Sequence, residues 1–273
     1  MSATDGRENV GAPVIMHYQP IIEIDTGRTS RVEAFCRTGD GIQGLAAADF
    51  IPSAENGGLI GAVTSKVVEL VLADRAIFGR STAFSLNLSP ASLREPEFWA
   101  WFLRAIAHAR IDPTTITLEL HDDPETRTNA TTRDSMERLH ARGIRFSIDR
   151  FGLDLSQWSH EETVYASVSE IKVYGDLFAN LGKSSNALIM QSVTDIATRL
   201  GLDVVAKNVE TREQLTCART AGCRYAQGYA IARPMPAVDL VRWLASRPVM
   251  PPADTANGAS RATRRSAQDH AKA

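Results

Sequence analysis

The stretch "LGLDVVAKNVETREQLTCARTAGCRYAQ", residues 200–227, holds the pattern from which the fold is read. Gly201 ends a helix-forming run, an aliphatic run over 203–206 follows, and that run stops on a charged residue, Lys207. Thr211 with Gln214 three residues on has capping-box spacing and opens a helix expected over 211–221. Gly222 closes it, and a second short strand over 223–226 ends on another polar residue, Gln227. The same helix, glycine, strand order occurs at Gly143 ahead of 144–149. Read outward, the periodicity predicts strands near 14–22, 31–36, 83–88, 115–120, 144–149, 168–173, 203–206 and 223–226. Helices are expected over 46–55, 61–78, 96–109, 126–142, 185–200, 211–221 and 236–246. Such alternation marks an α/β protein with a parallel sheet covered by helices, and a closed (β/α) barrel explains the rhythm better than an open sheet.

A chain of 273 residues with 44% hydrophobic content suffices for one barrel domain, expected over 14–247. The flanks 1–13 and 248–273 offer little to bury and are expected to be disordered. A formal charge of -2 gives no basic excess, so neither direct nucleic-acid binding nor attachment to an anionic membrane is expected. Cys36, Cys217 and Cys223 match no zinc module and are odd in number, which argues against a disulfide framework. The most apolar stretch, 63–78, is interrupted by Lys66, Glu69, Asp74 and Arg75, so no membrane span is expected. With no basic-then-apolar start, a cytoplasmic protein is expected.

Polar residues recur where the strands end: Glu33, Asn87, Glu119 and Asp149, then Lys172, Lys207 and Gln227. In a (β/α) barrel those ends converge on one face, where the active sites of this architecture are built. The first four are hard oxygen donors, suited to magnesium, manganese or calcium rather than zinc. Each taken alone reads sooner as a helix cap or a solvated loop residue, and only their convergence favours a site; Asn87, followed by Ser89 and Pro90, is the clearest capping candidate. The cluster Phe98, Trp99, Trp101 and Phe102 reads as packing, or as a partner-binding face if its helix is exposed.

In order along the chain, "YQPIIEIDTGRTSRVEAFCR", "DFIPSAENGGLI", "LNLSP", "LEL", "IDRFG", "IKV", "VVAKNVET" and "AGCRYAQGYAIARPMP" resemble the successive blocks of the EAL domain family. That family comprises cyclic di-GMP phosphodiesterases and their degenerate, non-catalytic relatives. The resemblance covers about residues 14 to 246. It implies a modified (β/α)8 TIM-like barrel and, in active members, two-metal hydrolysis of cyclic di-GMP to pGpG. Carried over by position, Glu33, Asn87, Glu119 and Asp149 match the ligands of the first ion. Lys172 and Glu210 match catalytic positions. Phe35, Arg37 and Gln227 match ligand-contacting ones.

The second ion fares differently, because its two further acids in the family pattern are replaced here by Arg150 and Lys207. Each exchange of an acid for a base adds two positive charges, so the pair shifts the site by +4 relative to that pattern. Repulsion of a divalent ion at near contact is on the order of 4 kcal/mol per unit charge product, so at most one magnesium or manganese ion is expected. Asp122 replaces a glutamate, Tyr174 an aspartate, and "DRFGLDLS" the usual loop after the acidic pair, so the regulatory dimer of the family is not expected in its usual form, although a dimer is left open. The resemblance with these departures implies a regulator that binds cyclic di-GMP or a partner protein, the alternative being a phosphodiesterase of reduced activity. In the first case Arg150 and Lys207 are expected to fill the space of the second ion.

Overall fold

The computed structural model describes residues 14–38, 51, 54, 57–79, 81–121, 129–149, 151, 166–179 and 184–246. The flanks 1–13 and 248–273 lie outside them, as do Asp122, Arg150, residues 152–165 and most of the helix expected over 46–55. Eight strands close into a barrel in sequence order: β1 (Val14–Glu23), β2 (Thr29–Thr38), β3 (Phe84–Asn87), β4 (Ile116–His121), β5 (Arg145–Asp149), β6 (Val168–Tyr174), β7 (Asp203–Lys207) and β8 (Tyr225–Ala226). The described helices are α1 (Ile60–Phe78), α2 (Pro90–Leu93), α3 (Pro96–His108), α4 (Ala130–His140), α5 (Gly175–Ala179), α6 (Ser184–Leu200), α7 (Arg212–Thr220) and α8 (Ala237–Ser246).

The parallel sheet holds from β2 through β8, but β1 runs antiparallel to both of its neighbours, β2 and β8. The cause is local. Residues 24–28 form a tight turn in which Glu23 N–H donates to Arg28 O and Gly27, at φ 65°, donates to Glu23 O. A parallel pair needs a crossover of roughly a dozen residues, which this turn cannot supply.

Alternation along the strands divides the core in two. Leu118 and Leu120 of β4, Phe146 and Ile148 of β5, and Ile171 and Val173 of β6 join one large apolar cluster with the helices. The residues between them, Thr117, Glu119, Ser147, Asp149, Glu170 and Lys172, are buried on the other face, toward the lumen. Apolar packing inside the barrel is confined, among the described residues, to Ile21, Val205 and Tyr225. The lumen is therefore polar, where barrels of this kind usually stack branched aliphatics.

The helix boundaries follow the sequence. α7 begins with the full capping box of Thr211 and Gln214. Gly143, Gly201 and Gly222 follow their helices at φ 92°, 68° and 86°. The aromatic cluster of α3 packs inward: Phe98, Trp99 and Phe102 are buried, and Trp99 Nε1 donates to Leu93 O at 2.8 Å. Trp101 is half-buried and packs against the same core.

Gly228 is required by close approach rather than by a turn. A Cβ there would stand 2.1 Å from Val209 O and 2.2 Å from Val209 N. Both are backbone atoms, held in place by the bond from Val209 N–H to Gln227 O at 3.0 Å. Gly228→Ala should therefore lower stability by at least about 1–3 kcal/mol, visible as a fall in the thermal midpoint. An unchanged melt would show that the 209–228 contact yields freely.

Candidate functional site

The inward positions of six consecutive strands, with the residue after β8, bring together the side chains singled out above. Glu33 comes from β2, Asn87 from β3, Glu119 from β4, Asp149 from β5, Lys172 from β6 and Lys207 from β7, with Gln227 just beyond β8. Asn87 is not a cap. Its Nδ2 donates to Glu33 Oε1 at 2.9 Å, and the cap of α2 is Ser89, whose Oγ accepts from Ala91 N–H at 3.2 Å. The lumen offers Asn87 a charged acceptor, which a free helix end does not.

Two ammonium groups hold the three carboxylates. Lys172, fully buried, donates to Glu33 Oε2 at 2.7 Å and to Glu119 Oε1 at 2.5 Å. Lys207, 11% exposed, lies 2.8 Å from Asp149 Oδ2 and 3.7 Å from Glu33 Oε1. Burial alone would raise the Glu33 carboxyl, but the charges of Lys172 and Lys207, with bonds from Lys172 and Asn87, override it and hold Glu33 well below its ordinary value. Glu119 goes the other way, to about 7: burial is the main cause, the charges of Glu33 and Asp149 add to it, and Lys172 and Lys207 oppose it. Lys207 is raised, because the attraction of Glu33, Asp149 and Glu119 outweighs the burial that would lower it.

Several candidates stand apart from this cluster. Glu210 is exposed, its backbone N–H bonded to Gln214 Oε1 at 2.6 Å, and among the described residues it forms no ion pair with Lys172 or Lys207, which pair with Glu33, Glu119 and Asp149. Arg37 stacks over the Phe35 ring at 5.7 Å and donates to Cys36 O. Gln227 is 1% exposed, and among the described residues neither polar atom of its amide has a hydrogen-bond partner. Tyr174 closes β6 in register with Lys207.

The sequence reading missed Arg31 and Glu170, a buried ion pair directly below the site. Arg31 precedes Glu33 on β2, and Glu170 precedes Lys172 on β6, each by two residues. β2 and β6 stand four strands apart in the ring of eight, so both ion pairs cross the lumen, with opposite polarity. The signal was available: period two puts 31 with 33 and 170 with 172 on one face.

The EAL domain model matches residues 11–234 of the sequence. The chain belongs to the EAL domain family. Among its relatives, an uncharacterized signaling protein of Caulobacter vibrioides is 31% identical over 232 residues, which cover 84% of this chain and 28% of that protein. The cyclic di-GMP phosphodiesterase PA2567 of Pseudomonas aeruginosa is 28% identical over 232 residues, 83% of this chain and 39% of that one. The chain thus spans well under half the length of these relatives. The PaMucR phosphodiesterase, solved as a cyclic di-GMP complex, superposes with a TM-score of 0.74 at 26% identity, over 83% of this chain and 99% of that one.

Against the two-metal arrangement of active EAL domains, the observed donors fit poorly. Lys207 places a positive charge, 2.8 Å from Asp149 Oδ2 and 3.7 Å from Glu33 Oε1, at a position where a second ion would need a carboxylate. Among the described residues no group of three or more histidines, cysteines and acids stands together as a metal site. Likewise among the described residues, no helix is long and apolar enough to cross a membrane.

Proposed function

We propose that this EAL domain binds cyclic di-GMP without cleaving it and acts as a regulator that passes the bound state to a partner protein. The observation that carries the reading is the Lys207 ammonium between Asp149 and Glu33. It stands where a second metal would need an acid and offsets the charge of Asp149, so the charge balance of the site is met by the chain itself. A lysine at the mouth can also meet a phosphate, as a point charge with three donors. The buried, unpartnered amide of Gln227 beside it is a further group for a nucleotide to engage. At most one divalent ion, on Glu33, Asn87, Glu119 and Asp149, belongs to this reading, and it would have to displace the lysines that now hold those oxygens. Arg150 is assigned a supporting cationic role next to Asp149.

Calorimetric titration with cyclic di-GMP, across a magnesium series and with a chelator, tests the proposal. Binding should persist in the chelator and weaken with added salt, because side-chain cations rather than a metal hold the phosphates. A strict magnesium requirement would show that Lys207 does not stand in for the ion. Absence of any binding heat would leave a protein-interaction module.

A further inference from the structure

We infer that the lumen beneath the lysine–carboxylate layer is a closed binding site for a hydrogen-bonded cluster of water molecules. Its lining is set by small polar residues. Ser85 on β3, Thr117 on β4 and Ser147 on β5 occupy inward positions one layer below Asn87, Glu119 and Asp149, and all three are buried. The Arg31–Glu170 ion pair spans the same layer.

This layer holds a set of buried polar atoms without hydrogen-bond partners among the described residues: Ser85 Oγ, Ser147 Oγ, Glu170 Oε2 and Arg31 Nε, with Glu119 Oε2 just above. The register places them side by side. Ser147 pairs with Glu119 on one neighbouring strand and with Glu170 on the other, while Ser85 pairs with Glu33 and with Thr117. Among the described residues none of these atoms bonds to another, and one water can join groups separated by the span of two hydrogen bonds, about 5–6 Å.

The mix of donors and acceptors selects the occupant. Glu119 Oε2 and Glu170 Oε2 require a donor, whereas Arg31 Nε–H requires an acceptor, and a hydroxyl can serve as either. A cation cannot accept from Arg31 and is repelled by Arg31 and Lys172. An anion is repelled by the two glutamates. Water alone meets every group, and buried waters occur where two to four such partners converge. A water on Glu119 Oε2 also orients that carboxylate so that its other oxygen faces Lys172. Ser147 is then a positioning residue for the site above it.

Two measurements on the full chain test this. A crystal structure that resolves ordered solvent should show peaks within about 2.6–3.2 Å of Ser147 Oγ and of Glu119 Oε2 or Glu170 Oε2. A lumen without solvent peaks, or one holding an ion with oxygen contacts near 2.0–2.5 Å, overturns the inference. Thermal melts of Ser147→Ala and Ser85→Ala give an independent sign. If waters are bound, each variant removes one of their partners and the midpoint should fall by about 2–4 °C. If the hydroxyls are orphaned, deleting them relieves an unmet polar group, and an unchanged or higher midpoint in both variants overturns the proposal.

Discussion

Cyclic di-GMP incubated with this protein and magnesium or manganese should stay intact, with pGpG formed at least about a thousandfold more slowly than by a relative that keeps both second-site acids. In a two-metal displacement the second ion offsets charge on the phosphoryl oxygens, and a thousandfold loss corresponds to about 4 kcal/mol of that stabilisation. Here the Lys207 ammonium, 2.8 Å from Asp149 Oδ2, holds the oxygen that such an ion would share. Chromatographic separation of the products reads the result. Robust turnover abolished by Glu33→Ala would refute it. Arg150→Asp combined with Lys207→Glu should restore divalent dependence to ligand binding, whereas either change alone leaves one misplaced cation and should do little.

The second large effect is expected at Lys172. It is fully buried with Glu33 and Glu119, both also out of contact with solvent. Lys172→Met would strand two carboxylates in the lumen, and breaking a buried ion pair from one side costs about 3–5 kcal/mol. For a domain of this size that is a fall in thermal midpoint of about 6–20 °C. Adding Glu33→Gln and Glu119→Gln to Lys172→Met should recover most of the loss, because the uncompensated charge is then gone. A midpoint for Lys172→Met within about 2 °C of the unsubstituted chain would mean that the three groups are not coupled as the distances imply.

The fold was largely legible in the sequence, for reasons tied to particular residues. Gly143, Gly201 and Gly222 are helix stops because a left-handed residue is cheapest as glycine, and Thr211 with Gln214 is a local hydrogen-bonding device readable without any tertiary contact. The direction of β1 was not legible from strand–helix periodicity, since a strand pattern is the same in either orientation. Only the short turn at 24–28 decides it. Asn87 was misread as a capping candidate because an Asn ahead of Ser and Pro is locally ambiguous, and its choice of Glu33 depends on a strand 54 positions away.

By itself the sequence determined which residue types stand at the strand ends, and hence that four oxygen donors share a barrel mouth with two lysines. It also determined the charge reversal at Lys207, since substitution is a property of the residue alone. What only the tertiary structure decided is the pairing: that Lys207 turns to Asp149 and Glu33, that Lys172 bridges Glu33 and Glu119, and that Arg31 answers Glu170 across the lumen. The partners of these pairs lie 139, 139, 58 and 53 positions apart for Arg31–Glu170, Lys172–Glu33, Lys207–Asp149 and Lys172–Glu119. Period two assigns each side chain to a face, but choosing among several opposite charges on the same face requires barrel closure, which sets the distances and removes the water that would otherwise screen them all alike.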